Sequence, residues 1–481
     1  MRHAGKSGTD DWPHPPEVMP GGSPVTVSDR EAGALTARIT YPPDTPEPHT
    51  SNPHTAEPHP SNPQASAPHT PMPHAAALHA PAPHASATIA VPAPAAEAVT
   101  GPVEPAKDAK DAKDAKDTEP AAKPRARLYV IDALRLFAAV MVAMHHFAGT
   151  RLDNLPNNDV WNRPVSDIMP TVFRVSAYGW MGVEIFFVIS GFVICMSCWG
   201  RGPRDFFVSR VIRLYPAYWF GVIFTFTVLQ ISSAVWPKQT LKTALFNLSM
   251  LQSGSFIHNV DGVYWTLWSE LRFYLIFMFV VAAGLTYRKV VLFCCVWGAL
   301  ATLAPASDWR FLVLITDPEG AWYFIAGLSL FLMYRFGQDL LLWGILVMSW
   351  LMAQQELAHR ITTVEGVSSW RGALTIYTLF LLFMVGVARG LTDRIQWKWL
   401  VTAGSLTYPF YLIHYTAGTT AIHYLRGRTD ARLLVAGLIV GGLLLAYLIH
   451  RLVERPVARL LKRGLTDAFV KLGPPSARKA Q

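Results

Sequence analysis

From Arg127 onward the chain is a succession of long apolar segments separated by short polar connections, whereas the first ~125 residues contain almost no apolar run. In a bilayer, segments of this length satisfy their backbone hydrogen bonds as helices. The pattern predicts ten spans, at about 129–149, 179–199, 214–236, 265–286, 290–306, 320–334, 339–355, 372–388, 399–421 and 433–452. The fold class expected is therefore an all-α polytopic membrane protein with about ten transmembrane helices and a long disordered N-terminal tail. Three regions follow: a Pro/His/Ala-rich tail at 1–125, the transmembrane domain at 126–465, and a short basic C-terminal tail at 466–481.

The tail repeats a Pro-His pair with period five, at 48, 53, 58, 68, 73 and 83, degenerating to "PQ" at 63 and "LH" at 78. Its proline density and lack of large apolar residues forbid a packed core. His-rich tracts can bind metal, but no other ligand type is interleaved here, so no metal site is predicted. "AKDAKDAKDAKD" at 106–117 reads as a solvated spacer. The start shows no charged, apolar and small-residue succession, so no cleaved signal peptide is expected.

Polar residues inside the apolar runs carry the candidate chemistry. The first span keeps Arg135, His145 and His146, although an arginine near mid-bilayer costs about 2.5–3.5 kcal/mol on insertion scales. Arg135 and His146 are eleven residues apart. At ~100° per residue they share a helix face, separated by roughly 16 Å of rise. His145 points elsewhere, and Asp132 can pair with Arg135.

Charge fixes the orientation. The chain is 51% hydrophobic and only 16% charged, and its net charge of +9 resides mostly in the connections. That excess speaks for membrane orientation, with no nucleic-acid partner. Arg201, Arg204, Arg210, Arg213, Arg288, Lys289, Arg335, Arg389, Arg394, Lys398, Arg451, Arg455 and Arg459 fall in alternate loops. The positive-inside rule makes those loops, and both termini, cytoplasmic. Four ionisable residues then share the outer layer: His146, Glu184, Glu270 and His414. Buried carboxylates and imidazoles at such depth pair with one another or line an aqueous cavity. A carboxylate beside His146 would fix its tautomer for general-base work, so Glu184 or Glu270 is expected there. On the inner side, Arg210 and Arg213 are three apart and suit a phosphorylated ligand. Pro409 lacks an N–H, so a kink or water site is expected beside Tyr408 and Tyr411. The four cysteines, Cys195, Cys198, Cys294 and Cys295, lie in apolar runs and read as helix packing. Loops 150–178 and 237–264 offer Asp153, Trp161, Asp167, His258 and Asp261 to a polar acceptor.

These residues resemble the integral membrane acyltransferase family 3, whose bacterial members O-acylate surface and secreted glycans. "RLYVIDALRLFAAVMVAMHHF" is similar to its opening, an arginine, ten residues and a histidine, matched by Arg135 and His146. "GVEIFFVISGF" supplies the second block, with Glu184 where many members have Asp. "RVIRLYPAY" and "WTLWSELRFY" match the next two, the latter at Trp265 and Glu270. "LTYPFYLIH" and "VERP" resemble the closing blocks, with Tyr411, His414 and Glu454. Six blocks in order cover roughly residues 127–457.

The resemblance implies an O-acetyltransferase of the bacterial inner membrane, with cytoplasmic acyl-CoA, most often acetyl-CoA, as donor and a carbohydrate or glycolipid hydroxyl as acceptor. No other cofactor is expected, and the remaining partner is the bilayer. His146, Glu184 and Glu270 would be catalytic, and Arg135, Arg210, Arg213, Trp265, Tyr411 and His414 would bind substrate or donor. Direct attack on the thioester is the expected step, with an acyl-enzyme on His146 or Ser190 as the other route. Intramembrane Arg, Glu and His also describe a proton-coupled exporter of a glycan or small acid. The span pattern has no duplicated half, a feature common in such transporters.

Overall fold

The computed structural model describes residues 128–150, 160–365 and 368–472; the His-rich tail, Asp153 and the end of the basic C-terminal segment lie outside the described residues. Ten long helices follow the ten apolar runs. They are α1 (Tyr129–Ala148), α2 (Gly182–Cys198), α3 (Pro203–Ile231), α4 (Trp265–Ala282), α5 (Tyr287–Leu303), α6 (Pro318–Phe336), α7 (Leu340–Arg360), α8 (Trp370–Ala388), α9 (Trp399–Leu425) and α10 (Ala431–Ile449). An eleventh, α11 (Arg455–Leu472), continues from α10 through a π-turn at His450–Glu454. Side-chain caps start several of them. Thr286, Asp339, Ser369 and Asp430 each accept backbone N–H groups of the first turn, at α5, α7, α8 and α10.

Among the described residues, eight stretches are long and apolar enough to cross a membrane, and the protein is a multi-pass membrane protein. Helices α6 and α9 are not among the eight, and their positions explain it. Every residue of α6 from Tyr323 to Met333 is buried, against α2, α5, α7 and α8. Every residue of α9 from Thr407 to His414 is buried too. A helix enclosed by other helices has no lipid-facing stripe to fill with apolar side chains. Peripheral α10, by contrast, exposes Leu433, Val440, Leu444 and Leu448.

Close backbone approach holds the centre together. A Cβ on Gly191 of α2 would strike the carbonyl oxygen of Phe324, and one on Gly327 of α6 would strike that of Val188. Two small residues facing each other allow the axes to come this near. Gly179 and Gly182 seat the start of α2 on the carbonyls of Met141 and Ala138 in α1 in the same way. Helix α1 is thus gripped by α2 on one side and α9 on the other, which fixes the direction of its two histidines. Helix α9 runs unbroken through Pro409.

Candidate active site

His146 points at α9, where its Nδ1 lies 2.9 Å from Nε2 of His414. The roles of all four ring nitrogens follow. His414 Nδ1 is 2.8 Å from the carbonyl oxygen of Tyr411, which can only accept, so that nitrogen carries a hydrogen. In the neutral ring, His414 Nε2 then holds a lone pair and accepts from His146 Nδ1–H. His146 is left with its own lone pair on Nε2, outside the relay. The ring of Tyr415 lies 4.3 Å from that of His146. No carboxylate stands against His146 among the described residues. The expected partner, Glu184 or Glu270, is replaced by His414, which a single turn of α9 brings over Tyr411.

The backbone that carries His414 is held from outside its own helix. Tyr264 Oη donates to the Leu412 carbonyl at 3.1 Å, and Asp261 Oδ2 accepts from the Thr416 N–H at 3.3 Å. Asp261 also caps the turn Gly262–Tyr264, and burial pushes its carboxyl up to about 6. Its place in the 237–264 loop offers this aspartate to an acceptor; buried as it is, it is instead an interior latch. Trp161, another expected acceptor contact, is likewise buried, and its Nε1–H donates to the Phe147 carbonyl. Asp167 is bonded to Ser166 at the surface.

His145 belongs to a different network. Its Nδ1 faces the Ser176 carbonyl at 3.2 Å and its Nε2 faces Glu365 Oε2 at 3.1 Å. Both neighbours are acceptors, so a proton lies between the imidazole and the carboxylate. Arg360, the last residue of α7, bonds Glu184 Oε1 at 2.8 Å and Glu365 Oε1 at 3.4 Å. Its guanidinium lies over the rings of Trp180 and Trp265, at 4.9 and 5.5 Å. Burial alone would raise the Glu365 carboxyl, but His145 and Arg360 outweigh it and hold that group below the ordinary carboxylate range. Glu184 Oε2 is buried with no hydrogen-bond partner. Sequence patterning does not single out Arg360 and Glu365. Their only signal is a cation and an acid five apart, just beyond an apolar run, which reads as ordinary loop.

Between these histidines and the other end of the bundle lies a cavity of about 60 Å³, room for roughly four water molecules. Val183, Phe186, Phe187 and Leu267 form its apolar wall; Arg135, Ser190, Thr266, Glu270, Thr407, Tyr408 and Tyr411 form the polar one. Glu270 Oε1 accepts from Ser190 Oγ at 3.0 Å and from Tyr274 Oη. Tyr411 Oη bonds Thr266 Oγ1 at 2.7 Å, and the ring of Tyr411 packs 5.5 Å from that of His414. The structure therefore brings Arg135, Glu270 and Tyr411 to one cavity, with the histidine relay at its edge.

Arg210 and Arg213 mark the opposite end, and they diverge. Arg213 Nη1 bonds Glu454 Oε1 at 3.0 Å, while Glu454 Oε2 accepts from His450 Nδ1 at 2.8 Å. Arg210 instead lies 5.7 Å from the Tyr274 ring and bonds Ser197 Oγ. Tyr274 thus links Arg210 to Glu270 and to the cavity. Cys195, Cys198 and Cys294 are free and buried in the helix packing.

Helices packed around a small polar cavity, beside a histidine whose tautomer is set by a second histidine, form the candidate active site of a multi-pass membrane protein. Residues 128–451 match the acyltransferase domain known as acyltransferase 3, and the chain belongs to that family. Its activity is acyl transfer to an acceptor. No curated protein and no solved structure matches the chain.

Proposed function

We propose that the protein is an O-acyltransferase that moves an acyl group, acetyl above all, from cytoplasmic acyl-CoA to a hydroxyl of a cell-surface or exported carbohydrate. The supporting observation is the His414–His146 relay in a chain of this family. A thioester is already activated, so a positioned base acting on an alcohol is sufficient chemistry. His146 Nε2 takes the proton of the acceptor hydroxyl as the hydroxyl oxygen bonds to the thioester carbonyl carbon. The C–S bond then breaks, and the proton passes to the departing thiolate to give free CoA.

Around that step each remaining residue has a place. Arg210 and Arg213 take CoA phosphates at the cytoplasmic face, and Arg213 exchanges Glu454 for phosphate as it does so. Arg135 and Glu270 flank the pantetheine arm inside the cavity. Glu184 and Trp265, tied together by Arg360, close the acceptor side. The setting is the bacterial inner membrane with both termini cytoplasmic, so donor and acceptor approach from opposite sides. A two-step route through an acyl-Ser190 has one observation in its favour, the hydrogen bond from its hydroxyl to Glu270.

The test is a deletion strain carrying wild type or His146→Ala at equal membrane levels, with surface glycans, lipids and secreted metabolites compared by mass spectrometry. A product that gains the mass of one acetyl group with wild type alone is expected. Acylation that persists in His146→Ala refutes the base. Ser190→Ala separates the routes: it retains transfer if attack is direct and loses it if Ser190 carries the acyl group.

A further inference from the structure

The tyrosines around the cavity fall into two groups. Tyr215, Tyr218, Tyr264, Tyr274 and Tyr411 each place the phenolic oxygen on a protein acceptor. Tyr408 does not. It lines the cavity, it is 9% exposed, and its hydroxyl is buried with no hydrogen-bond partner. A buried phenol ordinarily finds one, because leaving it unpaired costs the full desolvation of the group. Arg135 lines the same cavity, with the carboxylates of Glu270 and Asp132 as its neighbours of opposite charge.

The carboxylate lining the cavity does not serve Tyr408: Glu270 Oε1 receives Ser190 and Tyr274, and Tyr408 bonds neither of the Glu270 oxygens. The Tyr408 hydroxyl therefore faces a space whose polar lining, Glu270, Ser190, Thr266 and Thr407, gives it no hydrogen bond, and the Arg135 guanidinium lines the same space. The chemistry of the space narrows what fits. Arg135 and Glu270 supply one charge of each sign, so a phosphate entering here would bring uncompensated negative charge into an apolar surround. A carbonyl oxygen is neutral and accepts two hydrogen bonds.

We propose that Tyr408, together with Arg135, hydrogen-bonds a carbonyl oxygen of the acyl donor within the cavity. This rests on the acyl-CoA reading above and adds a residue to it. The donor has two kinds of such oxygen, the amide carbonyls of its pantetheine arm and the thioester carbonyl itself. In the second case the same pair would hold the oxyanion as the acceptor oxygen bonds to carbon, until the C–S bond breaks and restores the carbonyl.

Full-length protein in nanodiscs, wild type and Tyr408→Phe, is titrated with acetyl-CoA, CoA and adenosine 3′,5′-bisphosphate. The last ligand keeps the 3′-phosphate and the inner 5′-phosphate of CoA but lacks every pantetheine carbonyl. Tyr408→Phe is expected to weaken acetyl-CoA binding about tenfold, the scale of one buried hydrogen bond, and to leave the bisphosphate unchanged. Equal weakening of acetyl-CoA and CoA assigns the amide carbonyls; weakening of acetyl-CoA alone assigns the thioester. Tyr218→Phe, which loses a hydroxyl bonded to the Asn247 carbonyl, should bind all three like wild type. The inference is overturned if Tyr408→Phe binds acetyl-CoA as tightly as wild type, or if it weakens the bisphosphate equally. Failure of wild type to bind acetyl-CoA or CoA would instead overturn the donor assignment.

Discussion

At the scale of single residues, the proposed chemistry turns on which nitrogen of His146 keeps a lone pair. His414 decides it by accepting from Nδ1. Replacing His414 with Leu removes that acceptor and should lower transfer by about 100-fold or more, toward the loss expected for a misdirected general base. Gln offers a carbonyl oxygen of similar reach and should recover part of the rate. Equal activity of His414→Leu and wild type, measured as acyl product per membrane-resident protein, would show that the relay has no role. Asp261 yields a pH prediction. Its carboxyl is raised to about 6 in the folded protein from about 3.9 in an unfolded chain. The folded state therefore holds the proton more tightly. Stability is highest below the lower value and falls as pH rises through the window between about 4 and 6. Asp261→Asn should flatten that slope in detergent thermal melts, and an unchanged slope would remove Asp261 as its source. Glu365, held low, has the opposite sign: its contribution is present above the ordinary carboxylate range and is lost on acidification.

Among the helices, the apolar runs made all ten long elements legible, because length and hydropathy depend only on local sequence. Helix-to-helix pairing is another matter. His146 and His414 are 268 residues apart, and Arg360 and Glu184 are 176 apart. Shared depth could be read from span direction, and it placed His146 and His414 in one layer. Which carboxylate or imidazole meets which depends on packing, and there the glycines dominate. Glu184 was near enough in depth to serve His146, yet Gly182 settles α2 on Ala138 and Glu184 is taken by Arg360. Gly327→Leu should therefore do more damage than any change of a lipid-facing residue. The added side chain meets the α2 backbone at Val188, where overpacking costs about 1–3 kcal/mol or more. Loss of folded protein from size-exclusion profiles is the expected result, with Leu444→Ala on the exposed side of α10 as the tolerant comparison.

For the molecule as a whole, the family match covers residues 128–451 and leaves the Pro-His repeat outside it. Deleting residues 1–120 should consequently preserve acyl transfer by the protein in the membrane. If that truncation inserts normally and is inactive, the tail belongs to the enzymatic function. The candidate site residues form a row: Arg210 beside Tyr274, Tyr274 on Glu270, then Arg135 and Tyr411, then His414 and His146. Such a row connects the two ends of the bundle while enclosing little free volume.

That small volume bears on the electrical life of the cell. Each charge that leaks through a membrane dissipates about 2.3 kcal/mol per 100 mV, and a water-filled tunnel lined by Arg, Glu and His would be an efficient leak. Here the cavity beside Glu270 is walled by Phe186, Phe187 and Tyr411 and holds only about 60 Å³. So small a volume is the packing an insulator requires, and on the proposed function a slender pantetheine arm would take the place of water there rather than admit it.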